Sequence, residues 1–192
     1  MLVLYAGFPG ALEGLRLLHR EWPGPRPRRT REGDVATWRR RGASLCRQVY
    51  GPAIAKLLPA VRALHPDLER WMVEHGYGRV LARPGLGLRD RELVTVAALA
   101  ALGWERQLVS HVLGALRVGA PAAAVEEALA IGARAGGARE RATATRTWAR
   151  AARYIREGST REGSASEGSG TTRAGAPAAS PGAGPHPKPA RF

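Results

Sequence analysis

The chain has 192 residues and a formal net charge of +14, enough for one domain of ordinary size plus a tail. It has no run of 18 apolar residues, which excludes a membrane-spanning helix, and its single cysteine, Cys46, excludes an internal disulfide. The charge argues only weakly for nucleic acid. Of the 30 basic residues 28 are Arg and two, Lys56 and Lys188, are Lys, a skew that GC-rich codon usage gives without any ligand, and Arg is spread along the chain rather than clustered with aromatic platforms.

Ala and Leu dominate while β-branched and aromatic residues are few, so the fold class expected is all-α. The first residues, Met1-Leu-Val-Leu-Tyr-Ala-Gly-Phe-Pro9, lack the basic stretch and the length of a signal peptide. With one unpaired cysteine, the expected location is cytoplasmic.

Residues 1–22 read as an amphipathic helical segment, started near Pro9 and carried by Leu12, Leu15, Arg16 and Leu18. Residues 23–41 read as a Pro/Arg-rich linker, because three prolines within five positions, Pro23 to Pro27, forbid helix there. The Arg39–Arg41 run at its end is expected as a solvated loop. Residues 42–156 carry the periodic pattern of a helical domain. Leu45, Val49, Ile54, Leu57, Leu58, Val61 and Leu64 keep helical spacing; Gly51-Pro52 splits the run into two helices, and Pro59 kinks or shortens the second. His65-Pro-Asp67 marks a further start, with His65 as a capping residue and Leu68, Trp71 and Met72 as the buried face. Gly76-Tyr-Gly78 is expected to end that helix, with His75 near its last carbonyls. Tyr77 is expected to pack, or else to line a site. Cys46 falls on an apolar side and reads as a small core residue.

A loop over 79–87 leads into two short helices back to back. Leu93, Val96, Ala97 and Ala100 give one apolar face and Leu108, Val112, Ala115 and Leu116 the other. Gly103 and Gly119 stand where each helix should stop. Pro121 opens another helix, with Glu126 and Glu127 in its early turns and Val125 and Leu129 facing inward, ended by Gly132 or Gly136. Residues 138–156 form the last predicted helix, buried along Trp148, Ala151, Ala152 and Ile155 and basic along Arg139, Arg146, Arg150 and Arg153. That stripe is the best nucleic-acid candidate in the chain and is expected to be a solvated or subunit-facing surface instead. Residues 157–192, rich in Gly, Ser, Pro, Ala and Thr and carrying four basic and three acidic residues, are expected to be a disordered tail. His186, inside it, has no expected catalytic part.

Inside the central hairpin lie two groups able to exchange protons: Glu92 near the start of its first helix and His111 in the middle of its second. At 3.6 residues per turn Trp104, Gln107 and His111 fall within roughly 60° of one another on one face. Arg91-Glu-Leu-Val-Thr-Val-Ala-Ala-Leu-Ala-Ala-Leu-Gly103, then Gln-Leu-x-x-His111-x-x-Gly-Ala-Leu-x-x-Gly119-Ala, then a Val-Glu-Glu-Ala helix start, resembles the carboxymuconolactone decarboxylase family, to whose superfamily the AhpD alkylhydroperoxidases also belong. The likeness spans about residues 88–132. It implies the AhpD-like helical fold, assembly as a homo-oligomer and chemistry without metal or organic cofactor. Tyr5-Ala-Gly-Phe-Pro9 also resembles a segment that comes late in such a unit, so residues 1–22 are expected to be the end of an incomplete first copy.

The AhpD branch works through a Glu, two cysteines and a His. Carried over from Glu92 and His111, its thiol positions fall on Trp104 and Gln107, so peroxiredoxin-type activity is the disfavoured alternative. The lactone decarboxylase branch lacks the thiols. Its implied reaction, loss of a carboxylate from a small unsaturated lactone or related acid, needs a proton delivered to carbon. The expected site is therefore His111 as proton donor with Glu92 orienting it. Gln107, Trp104 and Arg91 are expected to hold the substrate, with Arg106 or Arg117 as further cations for its carboxylates. No His/Cys/Asp/Glu cluster has metal-ligand spacing, and no Gly-rich loop follows a strand. Two other classes stand beside the enzyme: a non-catalytic helical oligomer, and a basic nucleic-acid-binding protein.

Overall fold

The computed structural model describes residues 1–25, 31 and 33–166, with side chains placed as far as Arg156. Among the described residues every regular element is helical. Met1–Arg156 form one compact unit, and Glu157–Phe192 count as a second. Of the expected tail, the backbone to Ser166 continues the last helix; residues 167–192 lie outside the described residues, as do 26–30 and 32 of the linker.

Helix α1 (Val3–Glu21) is two helical pieces joined at Gly7, whose φ of 67° and ψ of 179° break the helix. Glycine alone takes that backbone freely, and Pro9 then sits in the first turn of the longer piece, where its missing N–H costs nothing. Helix α2 (Val35–Tyr50) starts well before residue 42. Asp34 caps it, accepting from the Thr37 backbone N–H at 2.7 Å. The Arg39–Arg41 run is thus on a helix and not in a loop, and Arg39 pairs with the buried Glu74 at 2.6 Å.

A single 3₁₀ turn at Gly51–Ala53 separates α2 from α3 (Ile54–Leu64), which accepts Pro59 within it. Helix α4 (Pro66–Trp71) opens on His65, whose Nδ1 accepts from the Asp67 N–H at 3.2 Å. The expected burial of Leu68 and Trp71 does not occur: they are 40% and 51% exposed. Six residues are too few to turn a stripe inward, and Trp71 instead stacks on His65 at 6.0 Å.

Gly76 and Gly78 do not end a helix either. They lie inside a π-helical segment, Met72–Leu81, that crosses α2 at backbone contact. A Cβ on Gly42 of α2 would meet the Val73 carbonyl oxygen at 1.9 Å, and one on Gly78 would meet that of Trp38 at 1.9 Å. The crossing buries Leu45, Cys46, Val49, Tyr77 and Leu81 as one core cluster, on which Met1 and Leu4 also pack. His75 is exposed on this segment.

Helices α5 (Leu88–Leu102) and α6 (Glu105–Arg117) make the central hairpin. Gly103 turns it in the left-handed region, φ 68° and ψ 21°. Helix α7 (Ala122–Ala135) and helix α8 (Ala138–Ser166) complete a second core cluster of Val96, Leu99, Ala100, Leu108, Val112, Ala115, Val125, Ala128, Leu129, Ala133, Ala144 and Ala151 among others. Gly132 is interior to α7, not its end; Gly136 caps it. A Cβ on Gly132 would stand 2.1 Å from the Ala97 carbonyl oxygen, so α7 lies against the α5 backbone there. On α8, Arg139, Arg146, Arg150 and Arg153 are exposed, and Arg146 bonds Glu105 at 3.0 Å.

Gly132→Ala should therefore force α5 and α7 apart. Overpacking of this kind costs about 1–3 kcal/mol or more, whereas Gly14→Ala, in α1 with only Leu2 nearby at 3.9 Å, should gain up to about 1 kcal/mol of helix propensity. Urea unfolding of the two variants beside the parent should place them on opposite sides of it.

Candidate active site

Glu92 is the fifth residue of α5 and His111 the seventh of α6. The Gly103 turn folds the two helices together and brings the side chains into contact. His111 Nδ1 lies 2.8 Å from Glu92 Oε2, with Glu92 1% and His111 4% exposed. An ionised carboxylate only accepts, so Nδ1 is the donor and Nε2 points elsewhere. Nε2 has no hydrogen-bond partner among the described residues.

The surroundings are aromatic and tight. Tyr5, from the short piece of α1 before Gly7, sets its ring edge-on to His111 at 6.2 Å, and its hydroxyl lies 3.3 Å from Thr95 Oγ1. Tyr50, the last residue of α2, meets His111 from another direction at 6.1 Å. Tyr77 Oη donates to Tyr50 Oη at 2.6 Å. Burial raises all three phenols: Tyr5 to about 12, and Tyr50 and Tyr77 well above the ordinary value of 10. They stay neutral across the physiological range, each a hydrogen-bonding group that brings no charge to the pair.

Two contacts fix where α6 lies. Gly114, three residues after His111, leaves space that a Cβ would contest with Val49 Cγ1 at 2.8 Å and Glu92 Oε2 at 3.1 Å. Arg117 bonds the Val49 carbonyl at the C-terminal end of α2, an orphan acceptor that a cation suits. Arg117 is thus held in place and is not a free cation for a substrate.

The other expected substrate residues are placed differently. Trp104 is 47% exposed at the start of α6, and Gln107 and Arg106 are exposed as well. No described hydrogen bond joins their side chains to the pair. Arg91 is only 4% exposed, and one of its terminal nitrogens donates to the carbonyls of Arg83 and Leu86, both at 2.8 Å. Consecutive helical residues point about 100° apart, so Arg91 faces the 82–87 loop while Glu92 faces α6. Tyr5, Tyr50 and Thr95 were not picked out from the sequence. Thr95 carried a signal, since it follows Glu92 by one turn on the same face; the two tyrosines arrive from distant segments and carried none.

Cys46 lies one turn before Tyr50 on α2, is 1% exposed, and has its thiol pushed up to about 12 by burial. It is the only cysteine. Among the described residues no group of three His, Cys, Asp or Glu is arranged to hold a metal ion. No described helix is long and apolar enough to cross a membrane.

No curated protein matches the chain. Residues 66–151, from α4 through the hairpin into α8, match the carboxymuconolactone decarboxylase family. That span contains Glu92, Thr95 and His111 and leaves Tyr5 and Tyr50 outside it. The helical fold and the family match agree: residues 66–151 make up a domain like that of the carboxymuconolactone decarboxylase family.

Proposed function

We propose that the protein catalyses cofactor-free decarboxylation with proton transfer on a small unsaturated lactone or related carboxylic acid. The observation that carries this reading is the buried bond between His111 Nδ1 and Glu92 Oε2, which leaves Nε2 as the ring's other proton-exchanging atom. The carboxylate fixes the orientation of the ring through Nδ1. In the reaction the bond between the substrate's carboxylate and its ring carbon breaks and carbon dioxide leaves. The electron pair passes into the conjugated lactone. Protonated His111 then gives the Nε2 proton to carbon and regains one from solvent. The substrate reaches Nε2 when Tyr5 moves aside, turning on the Gly7 break. Dithiol peroxide reduction is disfavoured, because Trp104 and Gln107 stand where the thiols would be.

The burial of the pair also favours a second reading, a helical scaffold in which Glu92 and His111 are a structural bridge. A homo-oligomer suits either, since Phe8, Leu12, Leu15, Leu18 and Trp22 leave an apolar stripe exposed along α1. A cytoplasmic setting suits the single unpaired thiol.

Incubation with 4-carboxymuconolactone should release carbon dioxide, with His111→Ala and Glu92→Gln each slower by ~100-fold or more. Absence of turnover by the folded parent, or undiminished turnover by folded His111→Ala, leaves the scaffold. Diethyl pyrocarbonate should label His111 slowly, and Tyr5→Ala should speed that labelling, read by peptide mass mapping. Equal rates would show that Tyr5 does not guard the ring. Sedimentation should find an assembly that Leu15→Glu with Leu18→Glu dissociates; a monomeric parent would remove the oligomer.

A further inference from the structure

Between α2 and the loop that leads into α5 lies a cleft of about 420 Å³. Arg41, Arg83 and Arg91 line it with Ser44 and Gln48, and Leu45, Leu81, Leu86 and Leu88 supply apolar wall. Among the described residues no acidic side chain lines it. Neither Glu92 nor His111 does so, and the cleft is separate from their contact.

The charge arrangement there is unfavourable as it stands. Arg91 is almost wholly buried, yet among the described residues it forms no ion pair. Its two hydrogen bonds come from one nitrogen and go to neutral carbonyls. A guanidinium has five N–H donors; those of Arg91 not spent on the carbonyls reach solvent, since Thr147 Oγ1 is the one side-chain atom buried without a partner among the described residues. Burial first and the neighbouring Arg83 second act against its charge, and the adjacent Glu92 carboxylate offsets them only in part. Buried cations elsewhere in proteins are paired.

We propose that this cleft binds an organic anion, a carboxylate with an apolar body. The head group would accept from the free nitrogens of Arg91 and pair with Arg83 and Arg41. A guanidinium's planar fork matches a carboxylate's two oxygens. The body would lie on the leucine wall, and the cleft volume falls in the range that encloses small organic ligands. The inference does not depend on decarboxylation at His111.

Benzoate is the probe, with benzamide as its uncharged counterpart and inorganic phosphate as an anion without an apolar body. Titration calorimetry on the full chain should show benzoate binding, no binding of benzamide, and phosphate weaker than benzoate. Arg83→Gln and Arg41→Gln change exposed side chains, and each should weaken benzoate by about tenfold, the worth of one charge-assisted hydrogen bond. Arg91→Gln should abolish binding; since it also frees the loop carbonyls, its fold is checked by circular dichroism, and the two exposed variants decide if it unfolds. His111→Gln should bind benzoate as the parent does. Benzoate affinity unchanged in the Arg83→Gln, Arg41→Gln double variant, equal binding of benzamide, phosphate as tight as benzoate, or no binding at all would each overturn the proposal. Loss of benzoate in His111→Gln would move the binding to the Glu92 pair.

Discussion

Helices in this fold meet at the distance of their backbones, not of their side chains. Gly42 and Gly78 let α2 and the π-helical segment touch through main-chain atoms, and Gly132 does the same for α7 on α5. Each missing Cβ removes the spacer that would hold two helices further apart. Gly114 extends this to α6, and there the absent side chain is what leaves space for Val49 and the Glu92 carboxylate together. The position of a reactive group thus follows from packing that contains no reactive group. A side chain added at Gly132 or Gly114 presses on α5 or α6, the helices that carry Glu92 and His111.

The pair itself rests on mutual satisfaction. A buried carboxylate without a partner is costly, and removing one member of a buried pair typically costs about 3–5 kcal/mol. Glu92 and His111 escape this by facing each other, while Tyr5, Tyr50 and Tyr77 close the surroundings with neutral phenols. A neutral lining matters for proton transfer. The phenols bring no charge of their own to the pair, and the carboxylate orients the ring through one contact. The same lining keeps water back, which strengthens that contact.

The helical class, the Gly103 turn, the inward faces of α5 and α6, and the meeting of residues 92 and 111 could all be read from spacing. These are local or one hairpin apart, and periodicity reports such relations well. The glycines were misread in a consistent way. Gly76 and Gly78 looked like helix ends, and Gly132 stood as one beside Gly136, which does cap α7, because glycine ends helices when it stands alone in a sequence. Their actual work, letting another backbone approach, belongs to a partner segment that the local pattern does not show. Trp71 was misread for a related reason: its spacing fits a longer helix than the six residues of α4. Tyr5 and Tyr50 sit against His111 from segments 106 and 61 positions away in sequence, and no spacing rule spans such distances.

Two neighbouring residues divide the work of the α5 start. Arg91 turns toward the 82–87 loop and Glu92 toward α6, about 100° apart around one helix. The carboxylate found its counter-group inside the protein, in the imidazole. The guanidinium found only carbonyls, and the nearest charges lining its cleft repeat its own sign. The Glu92 carboxylate next along the chain supports its charge but is committed to His111, and the charged side chains that line its cleft are all cations, a lining that suits an acid arriving from solution. The first turn of α5 would then serve two ends: proton exchange on one face, and the holding of an acid on the next.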